Sequence, residues 1–147
     1  MTLKKMLKRE NSMRLIKCTA DDVSRLAAMN KRLIEDEKSS NSMAIKELED
    51  RMKGFITGEY KAFFFEEEGQ IVGYALVRHT SEPFYLRQFY IEREHRRKHY
   101  GKQAFKLLMD HLDKDVIDID VLPWNEAGLC FWKSLGFTET CISMRSV

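Results

Sequence analysis

Apolar and polar residues alternate over Met13 to Cys18 (MRLIKC), and a period of two marks a strand with one buried face. Thr19, Asp21 and Asp22 then supply the short oxygen-bearing side chains that cap helices. Val23, Leu26, Met29, Leu33 and Ile34 follow on one face of a helix predicted to run to about Glu37. The polar loop Lys38 to Asn41 separates it from a second amphipathic helix over Met43 to Ile56, whose Ile45, Leu48, Met52 and Phe55 share a face and which Gly58 ends. Two strand-like runs, Tyr60 to Phe65 and Gln70 to His79, are joined by a turn containing Gly69 and are expected to pair as an antiparallel hairpin. Beyond them the pattern predicts a strand over Phe84 to Ile91, a long helix over Tyr100 to Leu112 and a nearly apolar strand over Val116 to Leu122. A short helix over Asn125 to Leu135 and a last strand over Phe137 to Met144 complete it.

The order β-α-α-β-β-β-α-β-α-β implies an α/β fold: one central mixed sheet, antiparallel first and parallel later, flanked by helices on both faces. At 147 residues, with no repeat and no Pro- or Ser-rich linker, the chain reads as a single domain over 13–147, preceded by a basic leader, 1–12, outside the fold. A functional crevice is expected where strand neighbouring breaks, near the C-terminal end of the strand at Phe84 to Ile91.

A formal net charge of +2 argues against a surface given over to nucleic acid, so any basic function must be local. No apolar run approaches the roughly 20 residues of a membrane span, and the N-terminus has no signal-peptide core; a cytoplasmic protein without a membrane partner is expected. Cys18, Cys130 and Cys141 are odd in number and lack a CxxC pairing, which suits reduced structural thiols, with Cys130 buried and inert. His95, His99 and His111 have no carboxylate or cysteine at metal-ligand spacing and are expected on the surface or in loops, with no metal bound.

Local basic chemistry is concentrated in Tyr85 to Lys102 (YLRQFYIEREHRRKHYGK), where a strand ends in a cation cluster and a glycine before a helix opens. Unpaired N–H groups in a helix's first turn, ringed by positive charge, make a phosphate-binding turn; a solvated charged turn is the alternative.

The element order and two motifs resemble the GNAT superfamily of N-acetyltransferases, from Met13 onward. The family's acyl-CoA motif, R/Q-x-x-G-x-G/A at a helix start, is represented by Arg96-Arg97-Lys98-His99-Tyr100-Gly101, with His99 where the first glycine usually stands. A second signature, N-x-x-A-x-x-x-Y-x-x-x-G-F, is approximated by NEAGLCFWKSLGF, Asn125 to Phe137, with Trp132 where many members carry a proton-donating tyrosine. The resemblance implies direct acetyl transfer from acetyl-CoA to a small-molecule or peptide amine in a ternary complex. Under it, the strand around Phe89, Tyr90 and Ile91 engages the pantetheine chain and polarises the thioester. Arg96, Arg97, Lys98, His99, Tyr100, Gly101 and Lys102 surround the pyrophosphate, Asn125 bonds the pantetheine arm, and Phe131 and Trp132 wall the thioester.

An amine with a pKa of about 10.4 must lose a proton before it can attack. The resemblance implies Glu82, just before the central strand, as the candidate base, since base carboxylates of the family often sit on or beside that strand, with a turn carboxylate as the alternative; Asp120 lies on the neighbouring strand, where an outward, solvated carboxylate is the alternative. Glu35, Asp36 and Glu37 sit at the unfavourable end of the first helix's dipole; the resemblance, in which the loop between the first two helices borders the acceptor site, implies Glu35 and Glu37 as candidates for attracting a cationic acceptor, with a solvated helix end as the alternative. Gln88 is a further pocket candidate, since alternation puts only one of Arg87 and Gln88 on a given face. A noncatalytic CoA-binding module of the same fold is the rival reading, and the exposed sheet edge admits a homodimer.

Overall fold

The computed structural model describes residues 12–96 and 98–147; of the basic leader only Ser12 falls within this range, and Arg97 lies outside it. Strands β1 (Met13–Lys17), β2 (Tyr60–Glu67), β3 (Gln70–Arg78), β4 (Phe84–Ile91) and β5 (Ile117–Ile119) form one sheet in the order β1-β2-β3-β4-β5. The first four pair antiparallel and β4 pairs with β5 in parallel, giving the mixed sheet that the element order implies. Helices α1 (Val23–Asp36) and α2 (Ile45–Thr57) cover one face, while α3 (Tyr100–Leu112) and α4 (Glu126–Ser134) lie against the other.

Burial on both faces explains the nearly continuous apolar runs of β2 and β3. Phe63, Phe65, Ala75 and Val77 pack toward Ala104 and Leu108 of α3, whereas Ala62, Phe64, Tyr74 and Leu76 meet Leu26, Met29 and Leu33 of α1 and Met52 of α2. Helix starts follow their local chemistry. Thr19 and Asp22 form a reciprocal capping box around a 3-10 turn, Ala20–Asp22, that leads into α1. The second helix begins at Ile45 rather than at Met43, because the Asn41 carboxamide accepts the Met43 N–H (2.8 Å) in an Asx turn and Glu47 caps Ala44.

Two expected strands differ. β5 is only three residues long, not Val116 to Leu122, since its pairing with β4 covers Phe84 to Leu86 and no further. The last strand, Phe137 to Met144, does not form; residues 138–147 have no regular structure, and Ile142 and Met144 are exposed. Alternation alone makes no strand without an edge to pair with, and the short β5 offers little of one. Cys130 is exposed rather than buried, and His95, in the connection between β4 and α3 as a loop histidine, has its side chain buried.

β4 also carries a bulge. Leu76 pairs with Gln88 but Val77 pairs with Leu86, which leaves Arg87 as the extra residue. Leu86 and Phe89 consequently both face α3, whereas Arg87 and Gln88 both turn toward the α1 and α2 face. Strict alternation does not survive there, and both polar side chains share one face.

The strand that bears this bulge is held by close backbone approach from β3. A Cβ at Gly73 would lie 2.1 Å from the Tyr90 carbonyl oxygen and 2.9 Å from Ile91 Cδ1. Gly73→Ala should therefore push β4 away at the end that borders the cleft described below and cost about 3 kcal/mol, read as a lower urea midpoint with an unchanged slope. A midpoint equal to that of the parent would show that the two strands have slack at this point.

Candidate functional site

The site begins where β4 and β5 part. Because the Glu92 N–H donates to the Val72 carbonyl (2.8 Å), and Tyr90 and Gln88 occupy equivalent positions opposite Tyr74 and Leu76, those residues direct their main-chain groups toward β3. Phe89 and Ile91 direct theirs the other way, past the last β4–β5 pair at Leu86 and Ile119. The Ile91 carbonyl accepts from Arg96 Nε (2.9 Å), as that orientation requires. Strand N–H groups are thus aimed into a cleft instead of at a neighbouring strand.

Glu37, Arg87, Phe89, Asp120, Asn125 and Trp132 line that cleft, together with Leu86, Ile119 and Val121. Asn125 caps α4, its Oδ1 accepting the Gly128 N–H (3.0 Å), so only its amide NH2 remains to offer a ligand. Phe89 stacks on Phe131 (centroids 6.1 Å apart) and meets Trp132 edge-on (5.2 Å), which makes an aromatic wall. Trp132 also packs against Phe105 and Phe137, so the ring at the tyrosine position is anchored in the α3 core. Asp120 accepts from the Tyr85 hydroxyl (2.9 Å), and burial, ahead of that bond, pushes Tyr85 up to about 12.

Glu37 is one of two carboxylates that the fold brings to the cleft; the other, Asp120, is already bonded to Tyr85. Glu37 caps α1, and its carbonyl accepts from Trp124 Nε1 (3.0 Å), which ties the helix end to the loop before α4. Burial first, and then the charge of Asp36, push the Glu37 carboxyl above its ordinary value. Glu35 is exposed outside the cleft. Glu82 stands before the opposite end of β4, exposed and bonded to Lys114 (2.6 Å), and the structure does not bring it to the cleft. Gln88 lies in the α1 and α2 core, where it accepts from the Tyr74 hydroxyl (2.8 Å). Tyr90 has its ring in the same core, below the Arg96 guanidinium (5.5 Å).

The basic turn joins β4 to α3 through a 3-10 turn, Arg93–His95. Lys98, Tyr100 and Lys102 follow it, and the N–H groups of Tyr100, Gly101 and Lys102 have no partner within the helix, as first-turn donors do not. His99 takes the left-handed conformation (φ 61°, ψ 18°) that a glycine would adopt without strain, and histidine is among the side chains that tolerate it. Gly101 serves packing: a Cβ there would sit 3.1 Å from the Phe131 ring. Arg97, expected in this turn, lies outside the described residues. Among the described residues no three His, Cys, Asp or Glu side chains are placed to hold a metal ion, and no helix is long and apolar enough to cross a membrane.

A clamp fixes the turn to α1. Arg93 and Arg96 both bond the Asp36 carboxylate, and Arg32 grips Glu92 through two bonds of 2.9 and 3.2 Å. Desolvation would raise Asp36, but the bonds from Arg96 and Arg93 outweigh it and hold the carboxyl below its ordinary value. A depressed carboxylate stabilises the fold above its unfolded pKa and loses that contribution as pH falls through the folded one. Asp36→Asn should therefore lower Tm at pH 7, with the gap to the parent closing as pH drops below about 4. Separately, His99→Gly should relieve the left-handed strain and raise stability by about 0.5 kcal/mol, while His99→Val should lower it by at least about 1 kcal/mol in the same denaturation assay.

Comparison with known proteins places this geometry. Solved structures of similar architecture include a possible acetyltransferase from Clostridium difficile 630, 18% identical with a TM-score of 0.75, matched over 93% of this chain and 97% of that one. A predicted acetyltransferase with acetyl-CoA from Clostridium acetobutylicum is 19% identical, with a TM-score of 0.72 over 92% and 96% of the two chains. An aminoglycoside N-acetyltransferase in complex with CoA is 15% identical, with a TM-score of 0.71 over 92% and 93%. Identities this low carry the fold alone, and no curated protein matches the sequence. The profile of the Acetyltransferase (GNAT) family matches residues 26–137, from α1 through α4 and into Phe137, so the chain belongs to the GNAT family of acetyltransferases.

Proposed function

We propose that this enzyme transfers the acetyl group of acetyl-CoA directly to an amine in a ternary complex, with Glu37 as the general base. The observation that carries the reading is the Glu37 carboxyl in the cleft between β4 and β5, held above its ordinary value by burial, opposite the aromatic wall of Phe89 and Trp132. A base with a raised pKa binds the amine's proton more strongly than a solvated carboxylate does.

Each residue then has a task. Main-chain N–H groups of Phe89 and Ile91 bond the pantetheine chain and the thioester oxygen, where negative charge develops. Lys98, His99, Tyr100, Gly101 and Lys102 present the N-terminus of α3 and local positive charge to the pyrophosphate. The Asn125 amide bonds the pantetheine arm, and Phe131 and Trp132 exclude water from the thioester.

The proton balance follows from the bonds. An ammonium and a thioester become an amide, a thiol and one free proton, as a C–N bond forms and the C–S bond breaks. Glu37 accepts the first ammonium proton and returns it to solvent. The second leaves the nitrogen after attack and reaches the departing sulfur through water, because the Trp132 indole is not a practical acid.

Glu37→Gln should lower kcat by about 100-fold or more while leaving the acetyl-CoA Kd, measured by calorimetry, within twofold. In the parent, kcat/KM should fall toward acid with an apparent pKa above that of an ordinary carboxylate, because only the deprotonated base works. That limb should be absent from the variant. Were Glu82 the base, the loss would fall on Glu82→Gln instead, and an E37Q enzyme within threefold of the parent would refute the assignment.

A further inference from the structure

Resting on the proposed amine transfer, we infer that the acceptor is an amino acid: a small molecule whose carboxylate is held by Arg87 and Arg51 while its amine faces Glu37. The bulge in β4 turns Arg87 toward α2, where its guanidinium stacks over the Phe55 ring (4.8 Å) and lies 3.4 Å from the Tyr60 hydroxyl. Arg51 of α2 approaches the same Phe55 ring (5.5 Å) and donates from Nη2 to Asn30 Oδ1 (3.1 Å). Two guanidiniums therefore converge on a single aromatic ring.

Neither has an acidic partner within ion-pair distance among the described residues, whereas Arg32, Arg93 and Arg96 each have one. The Arg51 Nε–H is enclosed and has no hydrogen-bond partner among those residues. Burial and then the charge of Arg87 bring the Arg51 guanidinium below its ordinary value, the direction expected of like charges brought together without an anion. Stacking on Phe55 stabilises the cations through their faces, and beyond the single bonds to Asn30 and Tyr60 their remaining in-plane N–H donors meet no acidic partner among the described residues. A planar anion with two oxygens matches those donors.

Arg87 lines the cleft together with Glu37, so a cation and the base border the same space, with Arg51 beside Arg87 on the Phe55 ring. The cleft's own charge selects among anions. Glu37 and Asp120 both border it, and a phosphate dianion beside two carboxylates is disfavoured relative to a carboxylate monoanion. A zwitterion that offers an ammonium to Glu37 and a carboxylate to Arg87 satisfies both ends.

Two assays on the full chain separate this inference from the reading it rests on. The first is calorimetric binding of N-acetyl-L-amino acids to the CoA-loaded protein, each compared with its N-acetyl amide, a pair that differs at the carboxylate and nothing else near it. The second is acetyl transfer from acetyl-CoA to the twenty L-amino acids and to their amides. At least one N-acetyl-amino acid should bind about tenfold or more tighter than its amide, a preference that Arg87→Gln and Arg51→Gln each abolish while the acetyl-CoA Kd stays within twofold. Arg87→Lys should restore part of it. Binding preference without turnover would sink the base assignment and leave the anion site standing. Turnover confined to amines without a carboxylate, amides that bind as well as acids, or no binding by any member of the panel would overturn the inference.

Discussion

β4 is bound along one edge only beyond Leu86, and everything functional in this chain depends on that. Buried main-chain groups are nearly always paired, so a strand that loses its neighbour halfway along must find other partners or present its groups to a ligand. The Ile91 carbonyl is satisfied by Arg96, while the main-chain groups of Phe89 face the cleft. Pairing with β3 from Tyr85 to Ile91, broken only at the Arg87 bulge, keeps these donors on a rigid element, and the close approach of Gly73 to Tyr90 leaves that edge little room to shift. The cleft is therefore a consequence of sheet topology, not of a loop that closes.

Carboxylates at the C-terminal end of a helix meet a negative dipole, and α1 ends in three of them. The structure divides the burden. Asp36 is neutralised by Arg93 and Arg96, Glu35 points to solvent, and the helix-end carbonyl of Glu37 is capped by the Trp124 indole. What remains is the Glu37 carboxyl, half-buried at the cleft with no ion-pair partner among the described residues, a state of higher energy that burial and Asp36 register as a raised pKa. An unfavourable local charge in the sequence is thus met by ion pairs at one residue and left half-buried at the cleft in its neighbour.

The fold was legible because its core is two-sided: β2 and β3 are apolar at nearly every position, and hairpin, helix faces and caps all pointed to one mixed sheet. The bulge at Arg87 was not, since one extra residue in a strand leaves the run of residues looking alternating while reversing which face each later side chain meets. The expected last strand failed for the complementary reason, that alternation describes a strand's faces and not the edge it needs. Glu82 is next to the central strand along the chain yet stands away from the cleft, whereas Glu37, which borders the cleft with Asp120, arrives there only through the packing of α1 across the sheet. Arg51 carried no mark at all, because its partner in charge, Arg87, lies thirty-six positions away and meets it over a shared ring.

The basic turn offers an anion fewer side-chain donors than its sequence advertises. Arg96 is already committed twice, through Nε to the Ile91 carbonyl and through Nη2 to Asp36, and Arg93 shares the same carboxylate. Competing for these guanidiniums means displacing a partner that holds α1 in place. Main-chain N–H groups at the start of α3 carry no such commitment, and they lie where the helix dipole adds its positive end. An anion bound at this turn is accordingly held by backbone first, which is why the conformation of His99, left-handed where glycine would be unstrained, matters more to the site than the number of cations around it.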